Sequence, residues 1–173
     1  MGVLELLKGD ITEMEVDAIV NAANKTLLGG GGVDGAIHRK AGPELLAECK
    51  KLNGCETGEA KITKGYNLKA KYVIHTVGPV YRDGKSGESR LLYNSFYNSL
   101  ILAKKNGIKT IAFPAISTGV YGYPKEDAAK VSLRAIYDFI SKEDWFEKIY
   151  IVLYDERTYQ IFKNICEKNF KGE

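Results

Sequence analysis

Short apolar runs alternate along this chain with longer segments whose apolar residues recur every three or four positions. The runs Val3 to Leu7, Ala18 to Asn21, Glu59 to Thr63, Tyr72 to Val77, Thr110 to Ile116 and Ile149 to Tyr154 have the length and the β-branched content of strands. Gly78-Pro79 ends the fourth of them. The helical period appears in Val33 to Lys50, where Ile37, Ala41, Leu45 and Leu46 share a face and Pro43 is an irregularity. It returns in Leu91 to Lys105, with Leu92, Phe96, Leu100 and Ala103 inward and Asn106-Gly107 as the C-cap. Pro124 opens a further helix with Glu126 and Asp127 in its first turn, and a last helix runs from about Arg157 to Asn169. Arg82 to Glu88 reads as a polar, mobile loop. Strands separated by helices predict a three-layer α/β/α sandwich around a mixed, mostly parallel sheet. No repeat, linker or low-complexity stretch interrupts the pattern, so residues 1–173 read as a single domain.

Composition narrows the class of function. The balance of 25 basic against 22 acidic residues leaves a net charge of +3, spread along the chain, which argues against a nucleic-acid or membrane surface. No stretch approaches the ~20 apolar residues of a membrane span, and the N-terminus lacks the layout of a secretory signal. Cys49, Cys55 and Cys166 are odd in number and not in CxxC spacing, so neither a disulfide framework nor a zinc site is indicated. The expectation is a cytoplasmic enzyme or binding module, with nothing that requires more than a monomer.

In an open parallel sheet, ligands sit outside the carboxyl ends of the strands. Three loops leave those ends: Asn21 to Gly35, Ile116 to Tyr123, and Tyr154-Asp155. The first holds four consecutive glycines, Gly29 to Gly32, followed by Val33 and Asp34 at the mouth of a helix. Glycines let a backbone present its N–H groups to an anion, and the helix N-terminus adds its positive end. Asn24 and Asp34 flank this cradle with groups suited to sugar hydroxyls. In the second loop Ser117, Thr118 and Gly119 offer backbone N–H and hydroxyl donors. Two such loops facing each other would clamp a diphosphate without lysine or arginine.

Gly30-x-Gly32-x-x-Gly35 formally matches the dinucleotide fingerprint, but Asn21 to Leu28 intervenes where the glycines should follow the strand at once. Thr63-Lys64 also stands where an acid for the adenine ribose belongs, so a nicotinamide oxidoreductase is disfavoured. A serine hydrolase built on Ser117 lacks a GxSxG elbow. Asp10 on spacing alone is a turn residue. Tyr121 and Tyr154 are open between rim and core. Asp34 and His38, four apart, could form an acid–base pair on one helix face. His75, inside an apolar strand, reads as a satisfied core histidine.

The segments Gly9-Asp-Ile-Thr12, Val16 to Asn24, Gly29 to His38, Val73 to Pro79 and Ala112 to Pro124 together resemble the macrodomain family. More narrowly they resemble its MacroD-type branch, which includes bacterial O-acetyl-ADP-ribose deacetylases. The resemblance covers roughly Leu4 to Phe170. It implies an α/β/α sandwich that binds ADP-ribose, with Asp10 on the adenine amine, the Ile11 backbone on the ring nitrogen and Tyr154 near the adenine. Gly30, Gly31, Gly32 and Val33, with Ser117, Thr118, Gly119, Val120 and Tyr121, would hold the diphosphate. Asn21 would be a further ligand contact, Asn24 would bind the distal ribose, and Asp34 would position or activate water; Asn24 and Asp34 are the implied catalytic pair. The implied substrates are O-acetyl-ADP-ribose and mono-ADP-ribose ester-linked to acidic side chains of proteins. No cofactor is implied, and the chain lacks the Cys/His cluster of the zinc-containing branch. A non-catalytic reader of ADP-ribose is the alternative, against which a carboxylate beside the distal ribose speaks. Lys25-Thr26 stands where relatives often carry Ser, and is expected to leave the proposed contacts untouched.

Overall fold

The computed structural model describes residues 2–170. Strands β1 (Leu4–Lys8), β2 (Ala18–Ala23), β3 (Ala60–Lys64), β4 (Tyr72–Val77), β5 (Thr110–Phe113) and β6 (Lys148–Leu153) form one sheet in the order β1-β6-β5-β2-β4-β3. All neighbours are parallel except β3, which runs antiparallel to β4 at the edge. Helices α1 (Gly32–Ala41) and α2 (Pro43–Lys51) cover one face, and α3 (Glu88–Lys105), α4 (Lys125–Lys142) and α5 (Glu156–Phe170) cover the other.

Strand alternation explains the two faces. Ala18, Val20, Ile74, Ile111, Phe113, Ile149 and Ile151 pack against α3, α4 and α5, with Phe96 stacked on Phe113. Their neighbours Ile19, Ala23, Val73, Val77, Ala112 and Val152 pack against Ile37, Ala41, Leu45 and Cys49 of α1 and α2. Strands buried on both sides read as continuous apolar runs, which is why they stand out in the sequence. The three layers and the mostly parallel sheet are as expected.

Several boundaries shift by one or two residues, β2 running on to Ala23, and three differ more. The helix read as Val33 to Lys50 is two helices broken at Gly42, whose φ of 92° no L-residue adopts readily. Pro43 begins the second helix, and a proline disfavours helical geometry at the residue before it. The break leaves Leu46 half-buried, while Ile37, Ala41 and Leu45 keep to the core. Strand β5 stops at Phe113 rather than Ile116, because Pro114 has no N–H to give the ladder. Helix α3 begins at Glu88, and the loop before it is gathered around that residue. The Glu88 carboxylate accepts N–H bonds from Arg82, Asp83, Gly84 and Ser86. Those backbone donors, that of Arg82 foremost, hold its pKa down to about 2.

The β2–β5 ladder is short, pairing Ala18 with Ile111 and Ile19 with Ala112. It is pinned at its start by Asp17, whose Oδ2 accepts the backbone N–H groups of Lys109 and Thr110 at 2.9 and 3.2 Å. The Thr110 hydroxyl accepts the Asp17 N–H at 2.8 Å in return. Asp17→Ala strands two partly buried donors, and should lower the free energy of unfolding by about 1–3 kcal/mol in urea titrations while the circular dichroism spectrum is unchanged.

Candidate functional site

Strands β2 and β5 are neighbours, yet the chain leaves them in opposite directions: β2 feeds α1 on one face and β5 feeds α4 on the other. A crevice opens at the carboxyl end of a parallel sheet wherever adjacent strands diverge in this way. Both helices begin without a capping side chain, at Gly31 and Pro124, so the N–H groups of their first turns have no intrahelical or side-chain partner at this edge.

The first loop is shaped by Asn24 and the glycines. Asn24 Oδ1 accepts from the Thr26 N–H at 3.0 Å and from the Thr26 hydroxyl, and its Nδ2 donates to Gly29 O at 2.9 Å. Thr26 therefore does touch a predicted site residue, contrary to expectation, and one Nδ2 hydrogen of Asn24 is left over for a ligand. Two glycines serve close approach. A Cβ on Gly35 would lie 2.5 Å from Gly30 O, and one on Gly30 would lie 3.1 Å from Asp34 Oδ2 and 3.3 Å from Asn24 Nδ2. At Gly31 and Gly32 an added Cβ would meet open space, so this stretch of backbone is bare toward the crevice.

The second loop is held from the exit of β4. Tyr81 N–H donates to Tyr121 O at 2.9 Å, and Tyr123 N–H to Ser117 O at 2.8 Å. Ser117, in the left-handed region at φ 69°, sits so close to Gly78 that a Cβ there would fall 2.2 Å from the serine oxygen. Gly119 faces open space, Val120 is fully exposed, and Tyr154 at the end of β6 is exposed too. A depression of about 310 Å³ beside this loop is lined by Thr118, Lys125 and Arg157, so basic side chains that sequence reasoning left out flank the second loop.

Beneath the first loop lies a buried polar network. Asp34, only 4% exposed, has its Oδ1 held by Asn21 Nδ2 at 2.8 Å. The same Nδ2 lies 3.2 Å from His75 Nδ1, and His75 Nε2 lies 2.9 Å from Thr63 Oγ1. His38 Nε2 stands 3.5 Å from Asp34 Oδ1 without hydrogen-bond geometry, so the two side chains are close but do not make the bond that a possible acid–base pair would use. Burial, with a smaller push from His38, lowers the His75 pKa to about 3 and keeps the ring neutral. Burial also pushes the Cys49 thiol beside it up to about 11. Among the described residues the buried side-chain atoms without a partner are Asn21 Oδ1, His38 Nε2 and Ser117 Oγ. All three belong to β2, α1 or the second loop, the elements that frame the crevice.

The remaining predicted residues fall around the same edge. Asp10 follows β1, and its Oδ1 accepts the N–H and hydroxyl of Thr12 at 2.9 and 2.7 Å, which is the turn role its spacing predicted. Ile11 is buried against the α1 face, where the strand-end turn carries it. Sequence reasoning missed Thr63, Gly78 and the reach of His75. A signal existed for His75: a polar residue on the strictly buried face of an apolar strand must find a partner. Among the described residues no group of three or more His, Cys, Asp or Glu side chains is placed to hold a metal ion, and no helix is long and apolar enough to cross a membrane.

Comparison with known proteins bears on this geometry. Residues 20–132 match the model of the Macro domain family. The chain is 54% identical over 166 residues to an O-acetyl-ADP-ribose deacetylase of Escherichia fergusonii, covering 94% of each. It is 58% identical to the ADP-ribose glycohydrolase MACROD2 of Xenopus laevis, covering 94% of this chain but 40% of that longer protein. The Oceanobacillus iheyensis macrodomain with ADP superposes with a TM-score of 0.92 at 44% identity, over 95% of this chain and 90% of that one.

Two outcomes are expected from this geometry. Gly35→Ala drives a Cβ into the Gly30 carbonyl and should lower the thermal midpoint markedly, whereas Gly119→Ala should stay within about 0.5 kcal/mol of wild type. The second concerns pH. The unfolded His75 binds a proton below its ordinary 6.5 and the folded one only near 3, so stability falls as pH drops through that window. The slope is at most about 1.4 kcal/mol per pH unit. Glu13 and Glu88, each held to about 2, add losses only below about 4.5. Urea midpoints from pH 7 to 5 should therefore decline in the wild type and flatten in His75→Asn.

Proposed function

This chain belongs to the macro domain family, and we propose that it binds ADP-ribose and hydrolyses esters of its distal ribose. The substrates would be O-acetyl-ADP-ribose, mono-ADP-ribose on acidic side chains of proteins, or both. The reading includes no metal and no cofactor. It takes residues 1–173 as one macrodomain acting as a monomer in the cytoplasm, without nucleic acid as a partner.

The observation that carries it is the setting of Asp34. Its Oδ1 is tied down by Asn21, while its Oδ2 lies against Gly30 beside the Asn24 amide, at the start of a glycine cradle whose backbone faces open space. The diphosphate would rest on the N–H groups of Gly30 to Val33 and of Ser117 to Tyr121, with the positive ends of α1 and α4 behind them. Asp10 and the Ile11 backbone would take the adenine edge, and Tyr154 its face. Nucleotide binding, remote from the reacting bond, fixes the distal ribose against Asn24. Asp34 would then orient a water onto the ester. A carboxylate is a weak base at neutral pH, so its contribution is mainly alignment of that water.

A reader module would bind the same nucleotide and release nothing. Incubation with protein carrying glutamate-linked mono-ADP-ribose, and separately with O-acetyl-ADP-ribose, distinguishes the two, since only a hydrolase frees product. Asp34→Ala should slow release by about 10²–10⁴ while calorimetry still detects ADP-ribose binding. Wild-type turnover in that variant would overturn the assignment of Asp34, and retention of label by the wild type would leave a reader.

A further inference from the structure

Asp34 is the end of a longer chain of hydrogen bonds whose polarity is fixed throughout. Asp34 Oδ1 accepts from the Asn21 NH₂ group at 2.8 Å. That same group faces His75 Nδ1 at 3.2 Å, so Nδ1 must be a bare acceptor and the proton of the neutral ring sits on Nε2. Nε2–H then donates to Thr63 Oγ1 at 2.9 Å, and the Thr63 hydroxyl sends its own hydrogen on to Lys64 O at 3.1 Å. Sheet register builds this line. Asn21 pairs with His75 across β2 and β4, and Thr63 on β3 is diagonal to His75, whose own pair is Lys61. All three side chains are fully or almost fully buried.

We propose that Thr63 and His75 are positioning residues for the ester hydrolysis: a relay from the edge strand to Asn21 that sets which carboxylate oxygen of Asp34 faces the crevice. The proposal rests on the role given to Asp34 above. Without the Thr63 hydroxyl, the imidazole loses the acceptor that holds its proton on Nε2; the Cys49 sulfur at 3.8 Å is a poor substitute. In the other tautomer Nδ1–H meets the Asn21 NH₂, donor against donor. Turning the amide over to relieve that clash would set its oxygen against Asp34 Oδ1. Either way Asp34 loses its fixed orientation, although nothing in the nucleotide cradle has changed.

Thr63→Val keeps the shape of the side chain and removes the hydroxyl; Thr63→Ser restores it. With wild type, both variants and His75→Leu, three quantities are measured: ester release from O-acetyl-ADP-ribose, ADP-ribose affinity by calorimetry, and the His75 tautomer from ¹H–¹⁵N spectra. Thr63→Val should lower kcat by about ten- to hundredfold, with KM and affinity within about twofold, and Thr63→Ser should recover most of the loss. The wild type should show Nε2 protonated and Nδ1 bare, and Thr63→Val a mixture of tautomers. Wild-type kcat in a folded Thr63→Val, a loss appearing equally in affinity, or a proton on Nδ1 in the wild type each overturns the relay. If His75→Leu does not fold, the Thr63 pair still decides. If the wild type itself releases no product, the hydrolase reading fails, while the tautomer spectra still report on the relay separately.

Discussion

The hydrogen bond from the Asn21 amide to the Asp34 carboxylate is the interaction on which the site depends. A carboxylate buried without donors costs several kcal/mol, and removing its partner leaves that cost unrelieved. Here the donor comes from the central strand β2 and the acceptor from the first turn of α1, so one bond of 2.8 Å fixes helix to sheet at the point where the glycine cradle begins. The helix N-terminus favours the same negative charge. The Asp34 carboxyl is thus held by a neutral amide, with His38 near but not bonded.

That arrangement explains the uneven duties of the glycines. Gly30 and Gly35 are small because Asp34, Asn24 and the Gly30 carbonyl crowd them, whereas Gly31, Gly32 and Gly119 have nothing above them. The first group makes the cradle rigid and the second keeps it bare. Glycine costs roughly 0.5–1 kcal/mol against alanine in regular structure, and the loop offsets this with the Asn24 bonds to Thr26 and Gly29. Across the crevice, Gly78 and Tyr81 brace the Ser117 loop in the same manner.

Most of the fold was legible because doubly buried strands are apolar throughout and the helices carry regular stripes. The break at Gly42 was masked, since Ile37, Ala41 and Leu45 remain buried on both sides of it and so preserve the spacing of a continuous helix. The loops, their glycines, Asn24 and Asp34 were legible as candidates at strand ends, and the fold brings them to one edge of the sheet. The hydrogen bonds of Asn24 to Thr26 were legible too, as a short-range turn of an asparagine two residues before a threonine, but read as a neutral departure. His75 was rightly taken as satisfied. What its partners do was hidden, because Asn21 and His75 are 54 positions apart and meet only through the register of β2 on β4.

The neutrality of His75 limits what the network can do chemically. A ring whose pKa is pushed to about 3 takes no proton from Asp34 or from water near neutral pH. In the proposed hydrolysis, protons released at the crevice would leave toward solvent or substrate, not through the sheet. In that proposal the inner chain would only point Asp34, and pointing is what a weak base most needs: alignment of a water within hydrogen-bond reach contributes more than a small gain in basicity. A histidine buried beyond titration serves that end better than a charged one, because a proton on Nδ1 would face the Asn21 NH₂ and undo the bond that holds the carboxylate.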